Sequence, residues 1–201
     1  MLGECGGSLI IKYQVSLVKN MVEGFIGLPG SGKTYLLAKK GLEDLAKGKE
    51  VYANFYLKGA KRFSQLSQII AIVKAKLLAR EKINMTILID EINLSFPSRM
   101  WNKVPGWVLY FFSQTRKFGL DIYYTSQALA RVDKVIREIT NFVWIVKPFL
   151  FGIRRAKKIM PEDNDHVSKD VYEVKWFRIE EKVYSAYDTY EILELEEEFL
   201  K

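Results

Sequence analysis

Apolar residues recur along the chain with two spacings, one typical of strands and one typical of helices. Short apolar or alternating runs predict strands, and they occur at residues 11–17, 25–26, 51–57, 85–89, 120–125 and 142–146. Apolar residues repeating every three or four positions predict amphipathic helices, and these segments are 36–45, 66–78, 106–117 and 129–139. Because strands and helices alternate, we expect a three-layer α/β fold around a mostly parallel sheet.

The pattern changes after Pro148. Residues 171–179 and 183–187 predict a β-hairpin that turns at Glu180 and Glu181, and the acidic C-terminal tail predicts a helix. We therefore divide the chain into an N-terminal strand extension (1–20), a core (21–150) and a C-terminal β-hairpin with an acidic helix packed on that core (151–201).

Length and composition narrow the class of protein. A chain of 201 residues with 49% hydrophobic and 27% charged residues fits one globular domain. It contains no apolar run approaching the roughly 20 residues of a membrane span and no signal-peptide pattern, so we expect a cytoplasmic protein without an integral membrane segment. The single cysteine and the single histidine argue against a disulfide, a zinc site and a Ser-His or Cys-His catalytic pair.

The charge is unevenly distributed. The net charge is +7, but five glutamates lie within the last eleven residues, so residues 1–190 carry 30 basic and 19 acidic side chains. This excess of basic side chains in residues 1–190 is compatible with binding to DNA phosphates or to another anionic surface. It is equally compatible with a charged surface that only keeps the protein soluble.

A glycine-rich segment follows the strand at residues 25–26 and precedes a helix. Residues 27–34 match the phosphate-binding pattern G-x-x-x-x-G-K-[ST] at every position. Backbone N–H groups of such a loop converge on phosphate oxygens, Lys33 would reach the β and γ phosphates, and Thr34 would offer its hydroxyl to Mg²⁺. The alternative is a glycine-rich turn that binds no ligand. The predicted nucleotide-binding residues are Gly27, Leu28, Pro29, Gly30, Ser31, Gly32, Lys33, Thr34 and Tyr35.

Two adjacent carboxylates end the strand at residues 85–89. Ligands of open parallel sheets bind at this end of the strands. Asp90 is therefore predicted to hold Mg²⁺, and Glu91 to orient or deprotonate the water that attacks the γ phosphate. A solvated pair of acids is the alternative. A water-activating glutamate favours hydrolysis over transfer of phosphate to a second substrate.

Two further residues are candidates because of their positions. Gln127 follows the strand at residues 120–125 and would lie beside the γ phosphate if that strand neighbours the one ending at Asp90. Arg116 ends the preceding helix and is a candidate arginine finger for a neighbouring subunit. A polar strand end and a cation complementing a helix C-terminus are the respective alternatives. Rival candidates for the finger are Arg137, Arg131 and Arg99.

A basic cluster lies just outside the predicted core. It places four cations in five positions, Arg154, Arg155, Lys157 and Lys158. We expect either contacts with DNA phosphates or a solvated loop.

These residues together resemble a known family. The segment 27–35, the acids 90–91 followed by Ser98-Arg99 and Trp101, and the segment 114–127 resemble the zonular occludens toxin (Zot)-like ATPases of the FtsK/HerA superfamily, which are RecA-like P-loop NTPases with an additional strand and a catalytic glutamate. The resemblance covers residues 22–147, and Tyr187-Asp188-Thr189 is similar to a motif that closes such domains.

The resemblance implies a viral or phage ATPase that uses Mg²⁺-ATP to move DNA, expected to be double-stranded, during virion assembly. It implies a homo-oligomeric ring, usually a hexamer, with nucleotide at subunit interfaces and with capsid or coat proteins as further partners. Lys33, Thr34, Asp90, Glu91 and Gln127 inherit the family's nucleotide and catalytic roles, and Arg116 the finger. Many Zot-type extrusion proteins continue into a membrane span that is absent from this sequence, which favours genome packaging over filamentous extrusion.

Two other functions remain as alternatives. A nucleotide or small-molecule kinase shares the phosphate loop and would need lid arginines, for which Arg154 and Arg155 are candidates. A nucleotide-gated assembly scaffold would bind ATP with negligible turnover.

Overall fold

The computed structural model describes residues 21–95, 106–161 and 167–188. The predicted strand at residues 11–17, the motif around Arg99 and Trp101, and the predicted acidic C-terminal helix lie outside these residues.

Eight strands form one sheet in the described part of the chain. They are β1 (Val22–Ile26), β2 (Glu50–Ala53), β3 (Lys61–Arg62), β4 (Met85–Ile89), β5 (Leu120–Ser126), β6 (Phe142–Pro148), β7 (Arg154–Pro161) and β8 (Val167–Phe177). Their order in the sheet is β3-β2-β4-β5-β1-β6-β7-β8. Every pair from β3 through β6 is parallel, whereas β7 and β8 add to β6 as antiparallel strands.

Helices connect these strands and cover the sheet. They are α1 (Lys33–Ala46), α2 (Leu66–Leu78), α3 (Ile92–Ser95), α4 (Gly106–Ser113), α5 (Thr115–Phe118), α6 (Lys134–Ile139) and α7 (Glu181–Tyr184), with single 3-10 turns at Leu129–Arg131 and Leu150–Gly152. None of the described helices is long and apolar enough to cross a bilayer.

Two apolar clusters fill the space on either side of the sheet. One packs α2, α4 and α6 against the sheet and contains Ile69, Phe112 and Ile136. The other packs α1 against it and contains Leu37 and Leu88. Successive strand residues point to opposite faces, so strands whose residues are nearly all apolar, such as Met85–Ile89, supply both clusters. The predicted α/β fold with a mostly parallel sheet and a C-terminal β addition is confirmed.

The predicted C-terminal hairpin is wrong in its second strand. Residues 171–179 fall largely on β8, but the partner of β8 is β7, and residues 181–184 form the short helix α7. The apolar residues of 183–187 are buried because Val183, Ala186 and Tyr187 pack into the α1 side of the core, not because they form a hairpin strand.

The basic cluster and two predicted helices also differ from expectation. Arg154, Arg155, Lys157 and Lys158 lie on strand β7 and not in a loop. The segment 129–139 is a 3-10 turn followed by α6, because the Asp133 side chain accepts a hydrogen bond from the Val135 N–H at 2.9 Å and begins a new helix there. The segment 106–117 is divided into α4 and α5.

Candidate nucleotide site

The phosphate-loop segment lies at the centre of the sheet's carboxyl edge. It follows β1, which is flanked by β5 and β6, and its first N–H, at Gly27, donates to the Ser126 carbonyl at 3.2 Å. The exposed apex consists of residues 28–30, while Ser31 and Lys33 are buried. The loop therefore presents an open side to solvent and holds its lysine inside.

Gly32 is the residue before α1 and has a φ of +98°. Residues with a side chain rarely adopt this backbone conformation. With Gly32 in this conformation, the first N–H groups of α1 point toward the open side of the loop. A Cβ at Gly32 would also lie 2.8 Å from Cδ of Arg154. The backbone conformation therefore favours glycine, and the close approach places the Arg154 side chain beside the loop.

Lys33 folds back over the loop. Its ammonium donates to the Leu28 carbonyl at 3.4 Å and lies 3.9 Å from Oε1 of Glu91. Lys33 and Glu91 are therefore neighbours, which is the arrangement expected if both side chains act on the same phosphate.

Thr34 and Asp90 also meet, although 56 positions separate them. The Thr34 hydroxyl lies 3.1 and 3.2 Å from the two carboxylate oxygens of Asp90. Burial raises the pKa of Asp90, and the hydrogen bond from Thr125 opposes that shift. Two oxygen donors side by side fit Mg²⁺, which prefers oxygen ligands and usually keeps waters and phosphate oxygens. In the described part of the chain no cluster of three acidic, histidine or cysteine side chains forms a complete metal site.

Glu91 occupies a strained position immediately after Asp90. Its φ is +49°, a conformation that costs a non-glycine residue of order 1 kcal/mol or more. Its N–H donates to the Thr125 hydroxyl at 2.8 Å, and its Oε2 is buried without a hydrogen-bond partner among the described residues. A carboxylate oxygen held this way is available to accept a proton.

Two positioning residues were not predicted from the sequence. Thr125, on β5, accepts from the Glu91 N–H and donates to Oδ1 of Asp90 at 2.5 Å. Asn54, after β2, donates from Nδ2 to the Asp90 carbonyl at 3.0 Å and accepts from the Asp90 N–H at 2.8 Å. The sequence feature that could have identified them is their position, because each lies at the end of a strand that is adjacent to β4, at the same edge of the sheet.

Gln127 follows β5, and β5 pairs directly with β4, the strand that ends before Asp90. It lines a cavity of about 480 Å³ together with Gly27 and Leu28 of the loop. Its Oε1 accepts a hydrogen bond from Nη1 of Arg131 at 2.6 Å, so one rival finger candidate lies within the same subunit's site.

The other arginine candidates lie elsewhere. Arg116 does not end the helix before β5, as predicted, but is the second residue of α5, which ends at Phe118 shortly before β5 begins. This places Arg116 at the sheet edge opposite the phosphate loop. Arg137 is in the last turn of α6, and Arg99 lies outside the described residues.

The C-terminal strands bring further side chains to the site. Phe177, which ends β8, stacks on the buried ring of Tyr35 with centroids 5.6 Å apart. Arg154, which begins β7, lies over Gly32.

The basic cluster is not one continuous exposed surface. Lys158 is buried, and its ammonium forms an ion pair with Oε1 of Glu23 at 2.6 Å. The other Glu23 oxygen accepts from the Trp144 indole N–H at 3.0 Å. Because strand residues alternate between faces, Arg155 and Lys157 share the face opposite Arg154 and Lys158, and the Arg155 guanidinium lies 5.5 Å from the Trp176 ring centroid.

A family model described as zonular occludens toxin (Zot) matches residues 21–191. No curated protein sequence matches the chain.

Solved structures are similar in fold. The N-terminal domain of zonular occludens toxin from Neisseria meningitidis has a TM-score of 0.63 at 15% identity, covering 85% of this chain and all of that domain. The genome packaging NTPase B204 from Sulfolobus turreted icosahedral virus 2, solved with ATP-γS, has a TM-score of 0.54 at 12% identity, covering 74% of this chain and 96% of B204. The DNA-packaging ATPase B204 from Sulfolobus turreted icosahedral virus has a TM-score of 0.54 at 11% identity, covering 75% of this chain and 96% of that protein. The predicted P-loop NTPase fold is confirmed.

Proposed function

This chain belongs to the zonular occludens toxin (Zot) family, and from that premise we propose that it is an Mg²⁺-dependent ATPase that moves DNA during virion morphogenesis. The observation that carries the ATPase activity in this proposal is the convergence of Lys33, Thr34, Asp90 and Glu91 at one edge of the sheet. A kinase needs the loop and the metal ligands, but it has no use for a glutamate that activates water.

Each residue has a distinct part in hydrolysis. Lys33 offsets the negative charge of the β and γ phosphates. Glu91 accepts a proton from the attacking water at Oε2, while the Glu91 backbone is fixed by Thr125. Gln127, which lines the cavity beside the loop, contacts the γ phosphate and senses its loss. Thr34 and Asp90 would hold Mg²⁺, which neutralises charge on the phosphate oxygens when bound.

DNA translocation is the second part of the proposal, in addition to ATP hydrolysis. The basic body of the chain supports contact with a polyanion, and B204 is itself a genome packaging NTPase. A homo-oligomeric ring, with six subunits as the expected number, would align such contacts along DNA. The match to the Zot family supports filamentous virion assembly as the second candidate within the same chemistry.

One experiment tests hydrolysis, DNA dependence and ring formation together. ATP hydrolysis is measured without DNA, with double-stranded DNA and with single-stranded DNA, and the mass of the protein is determined with a nonhydrolysable ATP analogue. We expect turnover stimulated by DNA and a nucleotide-stabilised ring. ATP binding with negligible turnover would support a scaffold, and DNA-independent transfer of phosphate to an acceptor would support a kinase. Either result would overturn the motor.

A further inference from the structure

Arg154 lies directly against the phosphate loop, although it belongs to the strands added after the core. It is the first residue of β7. A Cβ at Gly32 would lie 2.8 Å from its Cδ and 3.1 Å from its Nε. The side chain of Arg154 therefore covers the residue that begins α1.

The guanidinium of Arg154 has unused hydrogen-bonding capacity. Nη1 donates to the Gly152 carbonyl at 3.1 Å, and Nε is buried without an acceptor among the residues that the structure describes. Ser31 Oγ, within the loop, and Glu91 Oε2 are buried and unpartnered in the same sense. Leaving such groups unpaired is costly, so their concentration around one loop points to this loop as a place where a polar ligand binds.

The sheet order determines the direction of approach. Asp90 and Glu91 follow β4, on one side of β1, whereas β7 lies on the other side of β1 beyond β6. The nucleotide site thus has its acidic groups on one flank and Arg154 on the opposite flank. A phosphate chain in the loop would pass between them.

The added strands are fixed against the loop. Arg154 pairs in register with Phe177 of β8, and the Phe177 ring is stacked on Tyr35, in the first turn of α1, with an interplanar angle of 3°. Arg154 therefore extends from a supported position and not from a free strand end.

We propose that Arg154 binds a phosphate group of the nucleotide held by its own subunit, so that the C-terminal strands complete the site. This inference rests on the proposed function. An arginine can donate two parallel hydrogen bonds to phosphate oxygens. This role replaces the expectation that Arg154 and Arg155 contact DNA together. The side chain of Arg155 lies on the opposite face of β7.

The test measures equilibrium binding of a fluorescent ATP analogue to the full chain. Arg154→Met retains an unbranched apolar stem over Gly32 but removes the charge, and Arg154→Lys restores a charge. Arg80→Met is the matched control, since it removes one exposed arginine beyond the end of α2, at the other edge of the sheet. We expect Arg154→Met to weaken ATP binding by about ten- to a hundredfold, as for loss of a charged hydrogen bond. Arg154→Lys should recover part of the loss, and Arg80→Met should bind normally.

Lys33→Ala separates failure of this inference from failure of the proposed function. If Lys33→Ala loses ATP binding while Arg154→Met binds like Arg80→Met, the loop binds nucleotide and the role of Arg154 is overturned. If Lys33→Ala binds ATP normally, the proposed function itself fails. If Arg154→Met loses affinity for double-stranded DNA and not for ATP, Arg154 is a DNA contact and the inference is wrong. Thermal unfolding of each variant verifies that it is folded.

Discussion

Thr125 donates its hydroxyl hydrogen to Oδ1 of Asp90 at 2.5 Å. The same hydroxyl oxygen accepts the N–H of Glu91 at 2.8 Å. One side chain on β5 thus holds both acidic residues that follow β4, and it connects the strand that leads to Gln127 with the strand that supplies the carboxylates.

Thr125→Val should lower ATP turnover by about ten- to a hundredfold, the usual cost of losing a group that orients metal ligands. Binding of ATP should be retained, because the loop and Lys33 are untouched. Thr125→Ser keeps the hydroxyl and is the matched control. Equal turnover in the valine and serine variants would contradict a positioning role for the hydroxyl.

Glu91→Gln should bind ATP and stall before hydrolysis. An amide can hold a water molecule but cannot accept its proton. Glu91 has a buried oxygen without a partner among the described residues and a strained backbone, both of which are consistent with a functional constraint. Single-turnover phosphate release, measured beside ATP affinity, tests this expectation. Turnover close to that of the wild type would show that another group is the base.

The sequence identifies the residues of the candidate nucleotide site more readily than the residues that position them. The loop, Asp90 and Glu91 are recognisable because each is a local pattern at the end of an apolar strand. Asn54 and Thr125 carry no such pattern, since their role consists of hydrogen bonds to a neighbouring strand. Strand order, which is set by tertiary packing, determines those contacts.

The structure of the residues after Pro148 is also difficult to predict from the sequence, because it depends on packing against distant parts of the chain. The apolar residues of 183–187 suit a strand or a buried helical turn equally well, and their packing against α1 decides between the two. Lys158 looks like its basic neighbours in the sequence. Its burial depends on Glu23, which lies 135 positions away.

Asp44 is expected to contribute stability that depends on pH. Burial alone would raise its pKa, but Lys40, Lys49 and the Thr86 hydroxyl outweigh burial and hold the pKa below its usual value. A lowered pKa stabilises the fold above the ordinary aspartate value of about 3.9. That stability is lost as pH falls through the lower folded value.

Asp44→Ala should cost about 1 to 3 kcal/mol near neutral pH, because the buried Thr86 hydroxyl loses its acceptor. The difference in unfolding free energy between the variant and the wild type should shrink as the pH is lowered below the ordinary aspartate pKa. Lys47→Ala is the control, since Lys47 is 59% exposed and its ion pair should contribute less than about 1 kcal/mol. A pH-independent difference for Asp44→Ala would exclude the carboxylate charge as its source.

Arg155 and Lys157 are predicted to contact DNA, whereas Lys158 is predicted to stabilise the fold. Replacing Arg155 and Lys157 by alanine should weaken DNA binding and reduce the slope of its salt dependence by up to about 0.9 for each phosphate that these side chains neutralise. Lys158→Met should instead lower the melting temperature, because Glu23 is left as a buried unpaired charge. Measuring both properties in both variants distinguishes the roles. If the salt dependence of DNA binding is unchanged after Arg155 and Lys157 are replaced, these two side chains do not contact DNA phosphates.

Arg116 is predicted to act on the nucleotide of a neighbouring subunit. It precedes β5, whose seven residues span about 20 Å from that edge of the sheet to the nucleotide edge. This separation is too large for an arginine to reach the nucleotide of its own subunit. An arginine finger supplied by a neighbour can contribute about 10³ to 10⁵ in rate.

The test of this role uses mixed rings. Arg116→Ala alone should bind ATP and hydrolyse it slowly, and Glu91→Gln alone should do the same. Mixing the two variants should restore part of the activity, because some interfaces then pair an intact Glu91 with an intact Arg116 from the adjacent subunit. Subunit exchange is verified by mass measurement of differently tagged chains. If exchange occurs and hydrolysis does not return, Arg116 does not act across the interface.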